Sequence, residues 1–224
     1  MSLYQNPPDG GMLYAETNMQ HLFPEPLNTI TSCFFLAIAI YWTFKLKGKA
    51  KQHIFLTGAI VLLYIGGIGG TIYHGLRQWR FFIMMDWLPI MLLCMAAGVY
   101  FLGRVTKWYY AVAFVILYLV FLFFVRGMMI QKGDIQLFIN INYAILAGMV
   151  LLPVLAFLIM TKFNKGKWVG FALMAFIAAL TFRVTDSWYL TAWGTHFLWH
   201  TFGAVAAFCM FQYIYVINEK HIET

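Results

Sequence analysis

The stretch Ile54-Phe-Leu-Thr-Gly-Ala-Ile-Val-Leu-Leu-Tyr-Ile-Gly-Gly-Ile-Gly-Gly-Thr-Ile-Tyr-His74 contains no Asp, Glu, Lys or Arg. Its length matches one helical crossing of a bilayer. Lipid offers no partner to backbone N–H and C=O groups, so such a run must close its own hydrogen bonds as a helix. Comparable stretches run from Asn28 to Leu46, Phe81 to Leu102, Trp108 to Val125, Leu137 to Met160, Trp168 to Phe182 and Trp193 to Ile217. Together they predict an all-α polytopic membrane protein with seven transmembrane helices. The sixth stretch is short before Arg183, and Arg183 to Ser187 is expected to extend it against protein rather than lipid.

Composition agrees: 62% of the 224 residues are hydrophobic and 10% charged, which excludes an ordinary soluble domain. No linker, low-complexity tract or internal repeat interrupts the chain. Residues 1–224 therefore read as one domain, with residues 1–27 forming a segment ahead of the first span. That segment lacks the basic start of a signal peptide, so the first span is expected to serve as an uncleaved targeting segment. Cys33, Cys94 and Cys209 fall inside predicted helices without metal-type spacing and read as buried thiols.

Orientation follows from the cations. Lys45, Lys47, Lys49 and Lys51 separate the first two spans, Arg104 and Lys107 the third and fourth, and Lys162, Lys165 and Lys167 the fifth and sixth, while Lys220 follows the seventh. The other side holds Arg77, Arg80, Arg126, Lys132 and Arg183. The N-terminus is expected outside or in a lumen and the C-terminus in the cytosol. The net charge of +7 is mostly this topology signal and gives no reason to invoke nucleic acid. Whether the membrane is a bacterial inner membrane or a eukaryotic endomembrane stays open.

Four ionisable residues interrupt the apolar runs at one end of the bundle: His74, Asp86, His196 and His200. Ionisable groups at membrane depth need a partner, and a shared one is the simplest. His196 and His200 are four residues apart, which puts both rings on one helical face. With His74 they make a three-histidine set that leaves a fourth tetrahedral position open, the arrangement of a catalytic zinc site. His196-Phe-Leu-Trp-His200 lacks the Glu of a metalloprotease helix, so Asp86 is the carboxylate left to orient or deprotonate water. Haem is disfavoured, because two imidazoles one turn apart on one helix cannot reach both faces of a porphyrin. The competing reading of the HxxxH pair is histidines hydrogen-bonded between helices.

Gly69-Gly-Thr-Ile-Tyr-His74, Met84-Met-Asp-Trp-Leu-Pro89 and His196-Phe-Leu-Trp-His200, in this order on the second, third and seventh spans, resemble the alkaline ceramidase family. That family belongs to the wider superfamily of seven-helix membrane hydrolases that includes the progestin and adipoQ receptors. The resemblance implies that His74, His196 and His200 bind zinc and that Asp86 contacts the zinc's water. The family has a Ser where this chain has Gly70. Thr71 is the expected substitute hydroxyl, against the alternative that it bonds back to its own helix.

Before the first span, Tyr14-Ala-Glu-Thr-Asn18 and Glu25-Pro-Leu-Asn28 resemble the family's calcium site, with Glu16, Asn18 and Glu25 as oxygen donors. Leu13 stands where the family has an Asp, and the spacing from Asn18 to Glu25 is shorter. The alternative is that Glu25 and Pro26 simply open the first helix. Trp199 resembles a family aromatic beside the last histidine, and Tyr143 in Asn140-Ile-Asn-Tyr143 is a candidate amide-contacting hydroxyl on the fifth span, so both are candidate substrate-binding residues, although Tyr and Trp are common at membrane interfaces. Asp186 reads as the ion-pair partner of Arg183 one helix turn away.

The resemblance implies a zinc-dependent hydrolase that cleaves the amide of a ceramide-like membrane lipid into a long-chain base and a fatty acid. A receptor-like seven-helix protein with a structural zinc, and a zinc hydrolase of another lipid class, are the alternatives. A transporter lacks support without internal repeats or a pair of broken helices.

Overall fold

The structure, a computed structural model, describes residues 6–132 and 135–219. They form seven helices: α1 Pro26–Lys45, α2 Ile54–Leu76, α3 Arg80–Val105, α4 Trp108–Lys132, α5 Ile135–Met160, α6 Lys167–Thr185 and α7 His196–Glu219. All seven are long and apolar enough to cross a membrane, and the chain is an integral membrane protein of all-α class. Lys220, and the side chains of Arg126 and Lys132, lie outside the described residues.

The helix ends show how short-range chemistry sets the boundaries. α1 opens on Pro26, whose missing N–H costs nothing in a first turn. Its free amides are met by Glu16 rather than by the preceding Glu25: Leu27 N–H donates to Oε1, and Asn28 N–H donates to Oε2 at 3.0 Å. α6 runs past Arg183 into a single 3-10 turn, Asp186–Trp188, so the polar stretch does extend the sixth helix. α7 starts at His196, three residues later than the apolar run, because Gly194 turns the chain at φ 65°. Asp186 Oδ1 then accepts from the backbone N–H of Thr195 at 2.7 Å and His196 at 2.9 Å.

The chain packs as two compact units, where the sequence reads as a single domain. The first comprises Met1–Ile90 and Lys165–Thr224. Here α1 packs on α2, α6 on α7, and both α1 and α2 reach α7. Two glycines of α2 permit this approach. A Cβ at Gly67 would stand 2.7 Å from Leu36 of α1, and one at Gly69 would meet the backbone of Met85 on α3. Small residues at helix contacts let backbones approach in this way. Where α1 ends, Lys49 pairs with Glu219 at 3.1 Å and Lys45 reaches Gln212 at 3.0 Å, tying the first loop to the end of α7.

The second unit, Met91–Asn164, holds the remainder of α3 with α4 and α5. Tyr118, Leu146 and Met149 form its core, with Met91, Cys94 and Phe114 packed around them. Tyr118 donates to Asn142 Oδ1 at 2.7 Å, which satisfies both polar groups among apolar side chains. The three cysteines are free thiols; Cys209 is buried, and Cys33 and Cys94 are half-buried.

Candidate metal centre

His74 occupies the last turn of α2, and His196 and His200 the first turns of α7. All three are buried. Their ligand atoms lie within 4.8 Å of one another, against roughly 3.4 Å between nitrogens on a tetrahedral zinc with Zn–N near 2.05 Å. The rings of His196 and His200 stand edge to face with centroids 4.9 Å apart, and His74 meets His200 in the same way.

His74 Nδ1–H donates to Glu25 Oε2 at 2.5 Å. That bond directs the other nitrogen, Nε2, away from the carboxylate. His74 Nε2 and His200 Nε2 are both buried and have no hydrogen-bond partner. Buried polar atoms left unmatched are costly, and two of them converging in one place fit a bound cation. The donor set is all imidazole, which suits zinc and provides no thiolate for softer metals. A carboxylate on the second nitrogen of a ligand histidine is the usual outer support of such a site. The residues present therefore fit zinc.

Asp86 lies on α3 beside this cluster, within electrostatic reach of His74 and Arg183. Its Oδ1 points at the bare Cα of Gly70, one turn before His74: a Cβ there would stand 2.5 Å from Oδ1 and 3.2 Å from the Ser32 hydroxyl of α1. Gly70 thus opens a space into which a carboxylate and a buried hydroxyl both project. Thr71 is placed differently. It donates to Gly67 O at 2.7 Å within its own helix and faces Cys33 at 3.4 Å, so the back-bonded alternative describes it. Ser32 carries a buried hydroxyl beside Gly70, and it too donates back to its own helix, to Asn28 O at 2.8 Å. It was not legible in the sequence because its neighbourhood depends on how α1 crosses α2.

Residues 6–25 form a strap across the site. Tyr14 stacks on the His196 ring at 3.9 Å between centroids and stands 5.4 Å from that of His74. Burial, with Tyr73 and Glu25 nearby, raises the pKa of the Tyr14 hydroxyl, which stays protonated. Burial also works to raise the pKa of Glu25, but the His74 hydrogen bond and the charge of Arg77 outweigh it and hold the carboxyl below its ordinary value. Glu25 is therefore ionised.

The oxygens expected to bind calcium are engaged elsewhere. Glu25 serves His74, Arg77 and Thr17. Glu16 caps α1, and burial raises its pKa against the pull of those two amides. Asn18 Oδ1 accepts from Gln20 N–H at 3.0 Å.

Asp186, read from the sequence as the partner of Arg183, instead holds α7 and the strap together. Besides capping α7, it accepts from Ala15 N–H through Oδ2 at 3.2 Å. Arg183 lies over the ring of Trp199, 5.4 Å from its centroid. Trp199 is buried and precedes His200 on α7. Tyr143 belongs to α5 in the second unit. The clasp of Asp9 on Arg77 was also missed. The signal available was that three of the chain's eight carboxylates precede residue 26, while no Lys or Arg precedes Lys45.

No family model, curated protein or solved structure matches the chain.

Proposed function

We propose that this protein is a zinc-dependent intramembrane hydrolase that cleaves the amide of a ceramide-like lipid. The observation that carries the reading is the convergence of His74, His196 and His200 with two unpartnered buried nitrogens beside the Asp86 carboxylate. The motif resemblance to alkaline ceramidases supplies the substrate class. Zinc held by the three histidines would act as a Lewis acid and bring the pKa of water to about 7.

The chain's own groups account for the rest. Asp86 accepts the proton of the attacking water as its oxygen adds to the acyl carbon. As the C–N bond breaks, Asp86 returns that proton to the amine nitrogen, leaving a fatty acid and a long-chain base. Glu25 holds His74 in the tautomer that presents Nε2. The apolar bundle takes the acyl chains, and the site near one end of the helices leaves the polar headgroup close to water.

Tyr14 stacked over His196 also favours a second reading, a covered zinc that is structural in a receptor-like protein. Purified protein incubated with a panel of ceramides and lysophospholipids, with products followed by mass spectrometry, separates the two. Release of fatty acid and long-chain base supports the amidase. Stoichiometric zinc with no hydrolysis of any lipid supports the structural site.

A further inference from the structure

We propose that Arg77 is a positioning residue for the metal centre, a built-in cation that fastens the strap of residues 6–25 and, through Glu25, fixes the ring of His74. This rests on the zinc reading above and deepens it.

Arg77 is fully buried, and its guanidinium is surrounded by oxygen. Nε donates to Asp9 Oδ2 at 2.8 Å, and one terminal nitrogen donates to Asp9 Oδ1 at 3.1 Å and to the Met12 carbonyl at 2.9 Å. The other terminal nitrogen donates to Glu25 Oε1 and to the Thr17 hydroxyl at 3.5 Å. Thr17 in turn donates to the same Glu25 oxygen at 2.6 Å. Two carboxylates, a carbonyl and a hydroxyl, all from the strap, thus converge on one positive group. Such a donor set otherwise suits a hard divalent cation.

The backbone gives independent support. Arg77 caps α2 in the left-handed region at φ 53°, a place that ordinarily belongs to glycine. A long L side chain there is strained, and the oxygen contacts of its guanidinium hold it in place. From that group the chain of contact is short: Arg77 to Glu25 to His74 Nδ1, with Tyr14 laid on His196 by the same strap.

Arg77→Gly suits the backbone while removing the cation, which makes it the informative variant. Purified full-length protein in detergent is titrated with zinc against a competing chelator, and the strap is probed by limited proteolysis. Zinc affinity is expected to fall about 10- to 100-fold, the usual effect of losing outer support to a ligand, with faster cleavage within residues 6–25. Millimolar guanidinium or calcium, entering the vacated oxygen cage, is expected to recover most of both losses. The wild-type protein should respond to neither cation.

Wild-type zinc affinity in Arg77→Gly, or a wild-type protein whose strap tightens in calcium, overturns the proposal. So does a loss that neither cation repairs. If Arg77→Gly does not fold, Asp9→Asn decides: it keeps the arginine but weakens the clasp, and unchanged affinity and cleavage overturn the idea. A wild-type chain that binds no zinc sinks the proposed function instead, and the proteolysis arm still reports on the clasp.

Discussion

The carboxylate of Asp86 on α3 lies against the bare Cα of Gly70 on α2, so close that a methyl group at that glycine would stand 2.5 Å from Oδ1. Real Cβ atoms do not approach an oxygen to that distance, so one of the two must move. Gly70→Ala, and equally Gly70→Ser, should therefore displace Asp86 and lower hydrolysis at least roughly tenfold, the scale of a small misplacement at a reacting centre. Zinc content should stay unchanged. Elemental analysis beside turnover checks this, and a Gly70→Ser protein more active than wild type would contradict it.

Asp86→Asn keeps the shape of the side chain and removes its charge. Metal should remain bound, and turnover should fall by about two to four orders of magnitude, as expected when a general base is lost. Loss of zinc in this variant would make Asp86 a ligand.

Ser32 and Thr71 should behave alike, because each hydroxyl is bonded one turn back in its own helix. Ser32→Ala removes a buried hydroxyl beside Gly70 that is bonded to its own helix at Asn28 O and should change turnover little. Thr71→Ala removes a hydroxyl bonded to its own helix at Gly67 and should change turnover little. A loss of roughly 10²-fold in either variant would give that hydroxyl a role at the reacting oxygen.

His196→Ala and His200→Ala should each abolish stoichiometric zinc, since two imidazoles leave the ion's coordination incomplete. Asp186→Ala acts on the same helix from outside the ligand set. It removes the acceptor for Thr195 and His196 N–H and should cost about 1 to 2 kcal/mol of stability. A lower melting temperature with zinc still bound, but more weakly, is the expected result.

The seven spans, the meeting of His74, His196 and His200, and the placement of Asp86 beside them were legible because hydropathy and helix periodicity act locally along the chain. Glu16, Glu25 and Asp186 were visible as polar residues, but their partners were not. Glu16 caps a helix whose first free amides lie eleven residues on, and Asp186 binds a backbone amide at Ala15. Such pairings depend on how distant segments fold back, which no local pattern encodes. Arg77 counted only as a charge on one side of the membrane, although its φ of 53° and its five oxygen partners make it structural. Ser32 was hidden for the same reason, because its relation to Gly70 exists only once α1 and α2 are packed.

The hydrogen bonds from Ala15 and His196 to one Asp186 side chain join a segment made before the first helix to the last helix made. During synthesis the strap emerges first, yet the acceptor that seats it and two of the three histidines emerge with the last helices. Until α7 is inserted, His74 has no companion ligands and Tyr14 has no ring to cover. Arg77 can clasp the opening segment once α2 is made, but Asp186 and the ring of His196 reach it only with the last two helices. The three-histidine cluster is complete only then, so an ion held by all three would be acquired late in biogenesis rather than early.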